Sequence, residues 1–274
     1  MRRFLRNLNF CVGFGLSAVV VGMALLSLVW TPYPPNEMNS AERLKPPSLQ
    51  HPLGTDQYGR DILSRVMYGA VNSIIVGLVT VAMGLFMGVL LGLAAAYWAG
   101  AIEEGTMRLC DLLFAFPAVL TAILITSVLG PLVINAMLAI GIFYIPVFAR
   151  LTRAVAKTVW HRDFIAAARA GGLSDWSITW RHVLPNILSP LIIQGTIQFA
   201  VAILAEAGLS YLGLGAQPPN PSWGRMLYEA QTFLATGPWM AVFPGLAIAW
   251  AVLGFNLLGD GLRDTLDPKM VRMR

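Results

Sequence analysis

The stretch LLFAFPAVLTAILITSVLGPLVINAMLAIGIFYIPVFA, Leu112 to Ala149, runs for 38 residues without one Asp, Glu, Lys or Arg. Lipid offers no hydrogen bonds, so a chain crosses it as a helix, and about 20 apolar residues are enough. Leu112 to Ala149 is too long for one crossing. Gly130-Pro131 lies at its centre and marks a turn, which predicts two spans of about 18 residues each.

Outward from this pair, the same rule places four more spans. No charge falls between Arg65 and Glu103, leaving room for a helix from Val71 to Trp98. Phe10 to Trp30 is charge-free and follows Arg2, Arg3 and Arg6. Its core exceeds a signal peptide's h-region, and Trp30-Thr31-Pro32 is no small-residue cleavage site, so it reads as a retained first span. Val183 to Ala205, continuing past Glu206, supplies a fifth, and Trp239 to Leu258 a sixth. The fold class expected is an all-α polytopic membrane protein.

Composition agrees. Of 274 residues 57% are hydrophobic and 12% charged, against roughly 25% charged in soluble domains; mean hydropathy is +0.66. Soluble enzymes, nucleic-acid binders and disordered regulators are excluded on that balance. Cys11 and Cys110 are 99 positions apart, with no ligand-like spacing. The net charge of +5 is a topology signal. With an inner N-terminus, six spans leave only Arg43, Lys45, Arg60, Arg65 and Arg225 outside, and the other 14 of 19 basic residues inside. Both termini are therefore expected to be cytoplasmic. The chain divides into residues 1–31 (tip and first span), 32–70 (outer segment), 71–260 (five-helix core with a cytoplasmic loop at 150–187) and 261–274 (cytoplasmic tail).

The loop contains FIAAARAGGLSDWSITWRHVLPN, Phe164 to Asn186. Ala166, Ala167 and Ala168 favour helix, and Gly171-Gly172 ends it. After Leu173, Ser174 can cap a second short helix with Asp175 in its first turn, carrying Trp176 toward the cytoplasm. Leu184-Pro185 then opens the fifth span. The result is a rigid elbow with two readings: docking into a partner's groove, or anchoring of its Arg and Lys at the membrane interface.

The outer segment ends in HPLGTDQYGRDILSRVMYG. Asp56/Arg60 and Asp61/Arg65 are i,i+4 pairs beside an apolar stripe of Ile62, Leu63, Val66 and Met67. That predicts an amphipathic helix on the membrane surface or a partner; a solvated connector is the alternative. The second outer segment, Ser210 to Pro238, is too rich in Gly and Pro for one helix, so a short re-entrant or surface piece packed on the bundle is expected.

Within the spans, Gly84, Gly88 and Gly92 form a small-residue ridge that lets another helix approach. Glu206 adjoins apolar sequence on both sides, which makes it a candidate to line a solute path or to cap and pair with Arg225. Gln194, Gln198, Asn135 and Asn256 suit interhelical bonding or a path lining. Catalysis is poorly supported. Gly208-Leu-Ser210 is followed by Tyr211, no His follows His182, and His51, His161 and His182 fall on separate loops. No metal site and no phosphate-binding G-x-x-x-x-G-K-[ST] motif is present, nor a channel filter or a clear internal repeat.

The elbow resembles the signature loop of ABC-importer permeases, E-A-A-x-x-x-G-x9-I-x-L-P. Ala166-Ala167-Ala168, Gly172 and Leu184-Pro185 hold the matching offsets, with Ala166 in place of Glu and His182 in place of Ile. HPLGTDQYGRDILSR, ILAEAGLSYLGLGAQPPNPSWG, PWMAVFPGLAI and LRDTLDP narrow the likeness to the C-type permease of dipeptide/oligopeptide importers, a pattern that nickel permeases share. GAVNSI (Gly69 to Ile74) departs where the family has an Arg after Gly-Ala. The resemblance implies a type I ABC-importer permease fold in a bacterial inner membrane. It implies a second homologous permease as heterodimer partner, two ATPase subunits, and a periplasmic or lipid-anchored solute-binding protein. ATP and Mg would be used by the ATPases, with no cofactor on this chain. The elbow, Gly172 to Trp176 above all, would be the coupling helix.

Overall fold

The computed structural model describes residues 7–266. The basic tip (Arg2, Arg3, Arg6) and the tail from Asp267 onward lie outside the described residues. Among these residues the chain is helical, with one isolated β-bridge between Thr55 and Asp61. The helices are α1 (Leu8–Ser27), α2 (Ile62–Tyr97), α3 (Ala101–Ala115), α4 (Ala118–Leu129), α5 (Val133–Trp160), α6 (Asp163–Ala170), α7 (Asp175–Ile178), α8 (Leu184–Tyr211), α9 (Trp223–Ala230) and α10 (Trp239–Leu266).

Five helical segments are long and apolar enough to cross a membrane, or six if the bent pair α3–α4 is one span. That pair corrects the simplest reading of Leu112 to Ala149. Gly130-Pro131 does separate two helices, since α4 ends at Leu129 and α5 begins at Val133. The first half, however, does not run straight: α3 and α4 meet at 82°. The cause is Pro117, whose ring disfavours helix at the residue before it, and Phe116 is extended at φ −97°, ψ 135°. With 12 residues, α4 rises about 18 Å, short of a hydrocarbon core of about 30 Å. Pro146, Pro190 and Pro244, by contrast, sit inside helices that continue past them. The sixth helix also outruns its expected end at Leu258 and takes in the start of the expected tail.

The glycine ridge decides how α2 packs. A Cβ on Gly84 would lie 2.3 Å from Tyr144 Cβ, one on Gly88 2.6 Å from Phe148 Cβ, and one on Gly92 2.5 Å from Thr152 Cβ. All three face α5, so the ridge joins two helices of this chain at close approach.

Two apolar cores result. The elbow-side core, called inner below, gathers Val76, Tyr144 and Phe148 with Ile165, Ile178, Val183 and Ile187, so it reaches from α2 and α5 into the elbow. The outer one gathers Val20, Ile62, Ile203, Trp223, Met226, Met240 and Phe255 from α1, α2, α8, α9 and α10.

Candidate functional site

The elbow is built from two local signals. Gly172, at φ +85°, occupies the left-handed conformation that ends α6. Leu173 N–H donates to Ala168 O at 3.2 Å and Gly172 N–H to Arg169 O at 3.0 Å, the paired bonds of a Schellman cap. Ser174 then caps the next helix, its Oγ accepting from Ser177 N–H at 3.3 Å. Ala166 and Ala167 are exposed and Ala168 half-buried. Ile165 and Ile178, both buried, fasten the elbow to the inner core.

The expected proline re-entry is corrected. From Asp175 the chain is helical without interruption to Tyr211, passing through a π-helical turn at Thr179–Val183. Pro185 lacks an N–H, and the wider turn just before it absorbs the missing bond. The short helix is therefore continuous with α8, half-buried Leu184 and exposed Pro185 included. Trp176 stands 73% exposed beside Asp175, its ring 5.5 Å from that of Trp180.

The far end of the bundle, expected to be the outer one, is the opposite kind of place. No separate amphipathic helix covers Asp56 to Met67. Asp61 is the N-cap of α2, accepting from Ser64 N–H at 2.8 Å, and Ile62 to Met67 are its first turns. Because Asp56 to Arg60 lies ahead of the helix, its pair closes a turn: Arg60 Nε donates to Asp56 Oδ2 at 2.6 Å. Asp61 and Arg65 do not pair with each other. Asp61 bonds His51 at 2.8 Å. Arg60 and Arg65 reach Glu229 of α9 at 2.6 and 3.3 Å. Asp56, Arg60, Asp61 and Arg65 are all buried. They form an internal clasp joining the first outer segment, α2 and α9. Trp223 completes it, its Nε1–H donating to Val66 O at 2.9 Å.

Glu206 belongs to the same end. It is 1% exposed and accepts from Ser210 Oγ at 2.6 Å. Its expected pairing with Arg225 is corrected, because Arg225 bonds Glu229 at 3.2 Å. A Cβ on Gly224 would lie 2.3 Å from Ala207 O, so α9 sits hard against α8 beside Glu206.

Comparison with known proteins assigns this architecture. Residues 84–272 match the family model described as "Binding-protein-dependent transport system inner membrane component". The chain belongs to that permease family. A dipeptide transport system permease protein DppC of Alkalihalophilus pseudofirmus is 47% identical over 85% of this chain and 77% of its own. A glutathione transport system permease protein GsiD of Pectobacterium atrosepticum is 42% identical over 98% of this chain and 90% of its own. Among solved structures, the MetNI methionine ABC transporter in inward-facing conformations matches with a TM-score of 0.61 at 15% identity. It covers 75% of this chain and 98% of that one. The likeness shows the fold, that of type I ABC permeases.

In this permease the expected path residues do not share one place. The rings of Phe199 and Phe255 meet at 4.5 Å, which sets their neighbours Gln198 and Asn256 at one level of the α8–α10 pair. Gln194 lies a turn further inward, and all three are half-buried. Glu206 lies two turns outward from Gln198, about 12 Å along the helix. Asn135 closes the α4–α5 turn, donating to Leu129 O and Gly130 O at 2.9 Å each. Among the described residues no group of three or more His, Cys, Asp or Glu could hold a metal. Sequence reading missed Glu229, Trp223 and Tyr97, whose partners are far away in the chain.

Proposed function

We propose that the permease is one of two different transmembrane subunits of an ATP-driven importer for di- or oligopeptides in a bacterial inner membrane. The observation that carries this is the elbow: a capped, core-anchored turn that presents Trp176 to a partner and runs unbroken into a membrane helix. Two ATPase subunits bind the cytoplasmic faces of the pair, and a solute-binding protein, periplasmic or lipid-anchored, delivers peptide outside. The termini and the elbow face the cytoplasm, in keeping with the basic residues. Relatives named for dipeptide and glutathione transport support a peptide solute.

The chain breaks no bonds in this cycle. ATP and Mg are used by the ATPases, which close on each other; a docked elbow moves with them and tilts α8, its continuous extension. The polar residues Gln194, Gln198 and Asn256 lie where α8 and α10 meet the second permease across the path. Glu206 holds the outer end and does not touch solute.

Affinity purification from a native membrane tests the assembly. The expected yield is one second permease of different sequence, two ATPase subunits, and ATP hydrolysis stimulated by peptide-loaded binding protein. A lone homodimer that moves peptide without ATP would overturn the reading.

A further inference from the structure

We propose that Tyr97 and Asp175 form a joint that passes movement of the elbow to α2, making Tyr97 a positioning residue for transport. The proposal rests on the coupling reading above and adds to it a second helix that moves with the elbow.

Three helices meet at one carboxylate. Asp175 Oδ1 accepts from Arg169 Nε at 3.1 Å and Nη2 at 2.9 Å. Its Oδ2 accepts from the Tyr97 hydroxyl at 3.0 Å. Arg169 lies in the last turn of α6, Asp175 opens α7, and Tyr97 is the last residue of α2. Aromatic contacts brace the same spot: the Tyr97 ring lies 5.7 Å from that of Trp160 at the end of α5. The Arg169 guanidinium stands over that Trp160 ring at 5.7 Å.

Backbone continuity joins the elbow to α8 on one side and, through His161 and Arg162, to α5 on the other. The glycine ridge binds α2 to α5 as one unit, and the end of α2 needs a direct hold on the elbow if the two are to move in step. The Tyr97–Asp175 bond supplies that hold one residue from Trp176, where the partner's force arrives. It turns the tilting of one helix into rotation of a packed body, the motion that alternating access requires.

The test uses the complete importer, reconstituted with its partner subunits, with peptide uptake and ATP hydrolysis read on the same vesicles. Tyr97→Phe removes one hydroxyl and keeps the ring. The expected result is hydrolysis still stimulated by loaded binding protein, with peptide transported per ATP lowered about ten-fold. Asp175→Asn also lowers that ratio, and the double variant is no worse than Asp175→Asn alone. A wild-type ratio in Tyr97→Phe, or additive losses in the double variant, overturns the joint. Gly172→Trp separates the two claims. If its stimulated hydrolysis stays at wild type, the coupling reading fails and the joint with it. If that stimulation is lost while Tyr97→Phe keeps a wild-type ratio, only the joint fails.

Discussion

The two ends of α2 are both held by charged groups, in opposite ways. At its N-terminal end Arg65, 1% exposed in its side chain, meets Glu229 at 10%. At its C-terminal end Arg169 and Asp175 pair with 59% and 33% of their side chains in solvent. Desolvated charges are costly unless every partner is in place, so they tolerate one arrangement. Solvent-exposed pairs contribute little to stability, so this end can shift with a partner without unfolding the chain. A transporter that rocks needs one end that keeps its shape and one that can follow a partner. The permease has both on the same helix.

Breaking the clasp should therefore cost most. Arg65→Leu takes from the buried Asp56 and Glu229 carboxylates one of the two arginines they share, with an expected loss of about 3 kcal/mol. Thermal unfolding in detergent reads it, and a change within error would show that the clasp is solvated. Next comes the ridge that carries movement between the ends. Gly88→Leu drives a side chain into Phe148 Cβ and Ile145 O, at 2.6 and 2.7 Å from the first added carbon, with an expected cost of about 1–3 kcal/mol or more. Its signature is loss of transport together with stability.

Glu206→Leu removes the acceptor of Ser210 and should cost about 1–3 kcal/mol while leaving the ranking of peptides transported unchanged. A shift in that ranking would return Glu206 to the solute path. At the exposed inner side, Asp111→Asn breaks the Arg150 pair, whose side chains are 42% and 67% exposed. The change should lie within about 1 kcal/mol and vanish in high salt. The smallest effect belongs to Glu42. Its bond from Lys45 Nζ, chief among the causes, holds its pKa below the ordinary 4.5. A depressed carboxylate stabilises the fold above its ordinary value, and that contribution fades as pH falls through the lowered one. Acid unfolding curves of Lys45→Met should lose this slight component and keep the rest.

Much of this was legible in the chain. Charge-free runs located the spans, Gly130-Pro131 parted α4 from α5, and Gly171-Gly172 with Ser174 foretold the elbow, because each is a local rule. Pro117 was not legible as a sharp bend. Pro146, Pro190 and Pro244 look alike in sequence yet sit inside continuous helices, and only packing decides between these outcomes. The clasp was hidden for another reason. Spacing of four suggested Asp61 with Arg65, whereas Arg65 finds Glu229 across 164 positions. A one-dimensional pattern cannot show which buried charges the fold brings together. Glu206 was visible as an intramembrane acid, but its burial beside α9 was not.

The central claim is that the elbow relays a partner's closure to the membrane helices, and Gly172 is where it can be tested most directly. Its φ of +85° is open to glycine and strained for other residues, while nothing lies within 4 Å of an added Cβ. A bulky substitute therefore distorts the elbow without colliding with the core. In the Gly172→Trp importer, reconstituted with its partners, the account predicts normal insertion and assembly with loss of peptide-stimulated ATP hydrolysis. Stimulation equal to wild type would contradict it.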